Sequence, residues 1–176
     1  MLKTTEHRTR WAFRPRRDRA ILLMLATTGA RLSEVADLKV SDVSSRLDTF
    51  TVMGKGGKER VLPLLPEAAD ALRAYLTLER PRSPYSASTA LWLAYRGDMS
   101  SNGLAQMVAA RGYEAGVKRR VHPHELRHRA IASWLRAGMP DALVMSLSGH
   151  STHSMLQRYG AHTRSEDAMA YLRALA

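Results

Sequence analysis

Between Leu38 and Leu64 the apolar period of the chain changes from that of a helix to that of a strand, then changes back. Leu38-Lys-Val40-Ser-Asp-Val43, Thr49-Phe-Thr-Val-Met53 and Glu59-Arg-Val61-Leu-Pro-Leu64 read as short strands. Gly54-Lys55-Gly56-Gly57 joins the last two as a tight turn, because glycine adopts positive φ without steric cost. On either side the spacing is helical. A helix over residues 16–28 offers Ala20, Leu23, Met24 and Leu25 to a core, and Gly29 can end it. Leu32, Val35, Ala36 and Leu38 continue in a second short helix. Pro66 opens a helix reaching Arg80, with Ala69, Leu72, Tyr75 and Leu76 inward. Residues 81–89 are rich in Pro and Ser and read as the least ordered internal stretch; Leu91-Trp-Leu93 reads as a short buried segment. Ser100 or Ser101 caps a helix through Ala115, Pro123 opens one that runs to Gly138, and Pro140 opens another. Ser151 or Thr152 caps a helix carrying Met155, Leu156 and Tyr159, and Ser165 opens a last one. The expected fold is mainly α with a small antiparallel β-sheet (α+β), in one domain over 16–176 after a basic arm or linker over 1–15.

Charge narrows the partner. Among 176 residues, 27 Lys and Arg stand against 16 Asp and Glu, a net charge of +11 that calls for a polyanion, with nucleic acid first. An aromatic content of 6% is low for a platform that stacks single-stranded bases, so duplex phosphates fit better. The chain has no cysteine, which excludes disulfides, thiolate metal sites and cysteine nucleophiles. No apolar run approaches the roughly 18 residues of a membrane span. Ala20–Ala26 follows basic residues but is too short for a signal sequence. A cytoplasmic protein without a membrane partner is expected.

The chemistry concentrates between His122 and Tyr159. His124-Glu125-Leu126-Arg127-His128 matches two patterns. One is H-E-x-x-H, in which two histidines one helical turn apart bind zinc and the glutamate is a general base. Its extended form fails, because Ile131 and Trp134 stand where Gly and His belong. The other is H-x-x-R-H, and it does not stand alone. Thr28-Gly29-Ala30-Arg31-Leu32-Ser33-Glu34-Val35 precedes it, as does Gly54-Lys55-Gly56-Gly57-Lys58-Glu59-Arg60; Leu147-Ser148-Gly149-His150 follows, and Tyr159 lies nine positions further on. These five elements, in this order, resemble the boxes of the tyrosine recombinase (phage integrase) family. Gly54–Lys58 is not a nucleotide-binding P-loop, since its spacing is wrong and no Ser or Thr follows Lys58.

The residue types suit phosphoryl transfer. A phosphodiester transition state gathers charge on its non-bridging oxygens, which two arginines can clamp, with Arg31 and Arg127 as candidates. A tyrosine hydroxyl can attack phosphorus and conserve the bond energy as a phosphotyrosine. A lysine on a hairpin can protonate the departing 5′-oxygen: Lys55, with Lys58 as the second choice. His124 and His150 can exchange protons or bond the phosphate. No metal or cofactor is expected.

The resemblance implies an integrase-like catalytic domain with Arg31, Lys55, His124, Arg127 and His150 as catalytic residues and Tyr159 as nucleophile. His128 and Glu34 would support them, Glu34 by holding Arg31. Lys58, Arg60, Arg129 and Arg158 are expected to contact DNA. The remaining tyrosines, Tyr75, Tyr85, Tyr95, Tyr113 and Tyr171, are expected to pack or lie on the surface. The resemblance also implies a site-specific recombinase of a phage, a mobile element or a chromosome-resolving system. It implies cleavage and rejoining of duplex DNA and a tetrameric synapse on DNA, with weak or monomeric association without it. Family members usually carry an N-terminal core-binding domain, expected to be absent here. Tyr171, Leu172 and Leu175 would then form a protomer-contacting tail. A type IB topoisomerase-like enzyme and a catalytically silent DNA binder are the alternatives, and a zinc metalloprotease is a distant one.

Overall fold

The computed structural model describes residues 14–54 and 56–150. The expectations placed on the arm before Arg14, on Lys55, on the helices after His150, on Arg158 and Tyr159, and on the tail residues Tyr171, Leu172 and Leu175 lie outside the described residues.

Helix α1 (Pro15–Thr28) is the axis of the domain, packed against α3 (Pro66–Ala74) on one side and α5 (Pro123–Arg136) on another. Proline at its first position supplies a preset φ where no N–H partner is needed. Arg17, Ile21, Met24, Leu25 and Thr28 repeat at helical spacing on its buried face, joined by Asp18 and Ala20. Ile21, rather than Leu23, completes that face; Leu23 is half-buried. Asp18 is buried but matched, since Arg17 donates to one of its oxygens at 2.6 Å and Arg111 to the other at 2.8 Å.

Gly29 ends α1 in the left-handed conformation, and α2 (Leu32–Ala36) begins at once. The segment expected to be a strand over Leu38–Val43 is instead a 3₁₀ turn at Val40–Asp42, bracketed by single bridges from Lys39 to Ala90 and from Val43 to Phe50. Local polar chemistry wins over the β-branched residues: the Asp42 carboxylate accepts the Lys39 N–H at 2.8 Å and closes the turn.

The hairpin itself forms as its alternation requires. β1 (Thr49–Met53) and β2 (Glu59–Pro63) pair antiparallel, with Thr49 opposite Pro63 and Met53 opposite Glu59. Phe50, Val52 and Leu62 face the core. Gly56 and Gly57 take φ of +78° and +73° in the turn, whose base is the Gly54 N–H bonded to the Lys58 carbonyl at 2.8 Å.

Past α3 the helical path loosens into a π turn at Tyr75–Glu79 and tightens at Arg80–Arg82. The Pro- and Ser-rich stretch after it is built around Arg80, whose guanidinium donates to the carbonyls of Ser86, Ser88, Ala90 and Leu91. A long cation can fold a loop around itself in this way, and composition alone does not show it. The chain then makes a second, two-residue hairpin, β3 (Leu93–Ala94) with β4 (Gly97–Asp98), not anticipated from sequence. Trp92 is fully buried, stacked on Tyr75 at 5.4 Å, and its indole N–H reaches the Val35 carbonyl.

Three helices complete the described chain: α4 (Ser101–Glu114), α5, and α6 (Asp141–Ser148). Ser100 caps α4 by accepting the Gly103 N–H. Leu104, Met107 and Val108 of α4 join the main core, and Ile131 with Val144 forms a smaller apolar contact between α5 and α6. None of the described helices is long and apolar enough to cross a membrane.

Candidate active site

Three chain segments far apart in sequence converge at one end of α1: the Gly29–Arg31 turn, the first half of α5, and the turn that follows α6. Gly29 makes the convergence possible. Its φ is +59°, and a Cβ there would lie 2.7 Å from the Trp134 ring on α5. Only a residue without a side chain satisfies both demands.

Arg127 faces inward because it sits one helical turn from Ala130 and Ile131, the buried stripe of α5. Its guanidinium donates to the Gly29 carbonyl, to the Ser148 carbonyl at 2.8 Å and to His150 Nε2 at 3.1 Å. A guanidinium has no acceptor, so Nε2 must be the acceptor. The His150 proton therefore sits on Nδ1, which donates to Ser148 Oγ at 2.8 Å. Burial, and then the positive charge of Arg127 and Arg31, drives the His150 pKa down to about 4. This ring is a neutral brace for Arg127 at pH 7. The proton exchange near neutrality expected of it from its ordinary pKa is not what its surroundings support.

Arg31 is the N-cap residue just before α2 and holds itself there through Glu34. The Arg31 backbone N–H donates to Glu34 Oε2 at 2.7 Å and its Nη1 to Oε1 at 2.8 Å. Its Nη2 donates to the Gly149 carbonyl at 3.0 Å. Gly149 presents that carbonyl because it closes α6 with φ of +68°. Unlike Arg127, the Arg31 side chain stays 38% exposed. Glu34 supports Arg31 as its position three residues downstream suggests.

His124 is exposed on the first turn of α5 and His128 is half-buried, with the two rings edge to face at 4.3 Å. Partial burial, and then the Arg127 charge, lowers the His124 pKa. Between them Glu125 caps the helix through the His122 N–H at 2.9 Å and forks onto Arg119. The Arg119 contact first, then the His122 N–H, holds its carboxyl down at about 2. That carboxylate is committed to a cap and an ion pair, which leaves the zinc-protease pattern without its base. No group of three or more potential metal ligands occurs among the described residues.

Of the residues expected to contact DNA, Lys58 and Arg129 are exposed. Arg60 is not placed that way. It lies two residues from Leu62 on the inward alternation of β2, only 14% exposed at its side chain, with its guanidinium forked onto Glu34. Ser148 and Gly149 make contacts that the sequence alone did not indicate, Ser148 with Arg127 and His150 and Gly149 with Arg31. The signal was there for Arg60, since a charged residue on the inward face of a strand needs a buried partner. It was absent for Ser148.

The family model for phage integrases matches residues 2–166. The chain belongs to the phage integrase family. Within that family it is 38% identical to tyrosine recombinase XerD of Corynebacterium glutamicum over 144 residues, which covers 81% of this chain and 47% of the relative. It is 36% identical to tyrosine recombinase XerC of Pelobacter propionicus, with the same coverage. This integrase-family chain therefore spans about half the length of the curated relatives it matches. The crystal structure of XerA recombinase superposes with a TM-score of 0.76 at 28% identity, over 89% of this chain and 59% of that one. The post-cleavage complex of XerH recombinase with its palindromic difH substrate has the same fold, with a TM-score of 0.73 over 89% of this chain and 45% of that one.

Proposed function

We propose that this chain is the catalytic domain of a site-specific tyrosine recombinase, which cuts and rejoins duplex DNA through a 3′-phosphotyrosine. One observation carries the proposal. Arg31, Arg127 and His150, separated by up to 119 positions, meet through a short set of hydrogen bonds at the Gly149 turn. Two guanidiniums beside one turn suit a trigonal-bipyramidal phosphorus with charge on its non-bridging oxygens.

In the proposed step the Tyr159 oxygen attacks phosphorus and the bond to the 5′-oxygen breaks. The phenolic proton leaves through His124, the exposed imidazole of the group, and Lys55 protonates the leaving oxygen. Arg31 holds the phosphate, and Arg127 is oriented by His150. Religation reverses each transfer, so no cofactor is consumed. Lys58, Arg129 and Arg158 supply phosphate contacts, and His128 supports His124. XerH site-specific recombinase, 25% identical to this chain, is bound to its difH substrate before cleavage, which supports a recombination-site substrate as the partner. A tetrameric synapse on DNA and a cytoplasmic location belong to the same reading. The relatives favour a recombinase over a topoisomerase or a silent binder.

The test is an SDS-resistant protein–DNA adduct formed on a pool of nicked duplexes from the source genome, with EDTA present. Wild type is expected to form it and Tyr159→Phe to form none. An adduct in both would move the nucleophile to another residue.

A further inference from the structure

Arg60 belongs to neither of the arginine boxes, yet it is the most fully engaged cation beside them. Its Nη1 and Nη2 donate to the two oxygens of Glu34 at 2.8 and 2.6 Å, and its Nε donates to the Leu147 carbonyl at 3.0 Å. A Cβ on Gly149 would lie 3.0 Å from Arg60 Nη1, and one on Gly54 would lie 3.6 Å from it. The turn leading to His150 and the base of the Lys55 hairpin thus both rest against this one guanidinium.

Glu34 is saturated. Oε1 accepts from Arg31 Nη1 and Arg60 Nη1, while Oε2 accepts from the Arg31 N–H and Arg60 Nη2. One buried carboxylate faces two guanidiniums, so the trio keeps one positive charge. Arg60 gives the carboxylate its whole fork. Arg31 gives only one guanidinium nitrogen and stays partly exposed.

We infer that Arg60 is a positioning residue, which occupies the Glu34 carboxylate so that the charge of Arg31 is left for the phosphate, and which ties the Lys55 hairpin to the His150 turn. This rests on the function proposed above. Without Arg60, Glu34 would remain buried and Arg31 would be its sole partner. Arg31 would close onto both carboxylate oxygens, and its charge would be cancelled where the transition state needs it. Lysine could not replace Arg60, because a point charge cannot fork onto two oxygens and also reach the Leu147 carbonyl.

The experiment compares wild type, Arg60→Met, Arg60→Lys and the double variant Arg60→Met with Glu34→Gln, all in the full chain. It reads single-turnover adduct formation on the nicked duplexes and equilibrium binding of the same duplexes against salt. Arg60→Met is expected to slow adduct formation about 10- to 100-fold, below the loss for a direct oxyanion donor. Any loss of affinity or of salt slope should come through the captured Arg31, and so should be recovered together with the rate in the double variant. Adding Glu34→Gln should recover about 10-fold of the rate, since a neutral amide no longer captures Arg31. Arg60→Lys carries the same comparison should Arg60→Met fail to fold. A salt slope smaller by about 1 that Glu34→Gln does not restore would make Arg60 a phosphate contact and overturn the inference. A double variant no faster than Arg60→Met would reduce Arg60 to a structural brace and also overturn it. NMR of the Arg31 side chain separates the two readings. If wild type forms no adduct, the proposed function fails by itself. The inference still stands or falls on whether Arg60→Met moves the Arg31 resonance and Glu34→Gln moves it back.

Discussion

Arg127 Nη2 and His150 Nε2 lie 3.1 Å apart, and the direction of that hydrogen bond is set by chemistry, since an arginine can only donate. The imidazole is thereby held neutral with its proton toward Ser148. The folded state binds no proton at His150 until the pH falls to about 4, whereas the unfolded chain binds one near the ordinary value of 6.5. Stability from this contact is therefore complete above pH 6.5 and is lost as the pH falls toward 4. Urea unfolding at pH 7 and pH 4.5 should show His150→Asn less acid-sensitive than wild type, by on the order of 2 kcal/mol. Equal sensitivity of the two would mean that His150 binds its proton as readily in the folded state as in the unfolded chain.

Glu34 works with the same sign at lower pH. Burial alone would raise its pKa; the Arg60 fork, the Arg31 N–H and the Arg31 guanidinium outweigh burial and bring it to about 2, from an ordinary 4.5. Its contribution is present above pH 4.5 and fades between there and 2. Glu34→Ala, which strands two guanidiniums, should cost about 3–5 kcal/mol in urea unfolding at pH 7. Glu34→Gln should cost less, because the amide oxygen still accepts.

Gly29→Ala meets two penalties, a positive φ and a Cβ against the Trp134 ring. The expected loss is about 2–4 kcal/mol. Shrinking the ring with Trp134→Leu should relieve the clash and leave the backbone strain. A double-mutant cycle by urea unfolding should give a coupling of about 1 kcal/mol or more. Additive losses would show that the two residues do not touch.

Tyrosines separate by environment. Tyr75 donates its hydroxyl to the Leu91 carbonyl and accepts the Leu93 N–H, both at 3.1 Å, and burial raises its pKa. Tyr75→Phe should lower stability by about 1–2 kcal/mol and leave the rate of adduct formation unchanged. Tyr159→Phe should do the reverse, abolishing the adduct without lowering the unfolding midpoint.

Arg80→Ala should release the carbonyls of Ser86, Ser88, Ala90 and Leu91. Limited proteolysis should then cut within residues 83–90 at protease levels that leave wild type intact, with stability lower by about 2–3 kcal/mol. A cleavage pattern like that of wild type would show that the Pro and Ser residues hold the loop without Arg80.

Much of this fold could be read before any coordinates, for reasons visible in single residues. Pro66 and Pro123 stand at helix starts because a ring-locked φ and a missing N–H cost least there. Phe50, Val52 and Leu62 announce the hairpin because strand side chains alternate. At Val40 a 3₁₀ turn replaces the expected strand because the side chain of Asp42, two residues on, closes the turn. The Leu93–Asp98 hairpin is too short to leave a period. At the site, the order of the boxes singled out Arg31, Arg127 and His150. Nothing in their spacing said which guanidinium is buried and which is exposed.

The sequence by itself determined most of the element types, the family and the identity of the charged residues that meet beside the Gly149 turn, because periodicity, capping and motif order are local properties of the chain. Only the tertiary structure decided what each charge does. A guanidinium donates to whichever acceptors packing brings within about 3 Å. The acceptors here are Glu34, and the carbonyls of Gly29, Leu147, Ser148 and Gly149, donated by segments from opposite ends of the described chain. That is why Arg60 turned inward to Glu34, why His150 became neutral, and why Arg31 kept an exposed face.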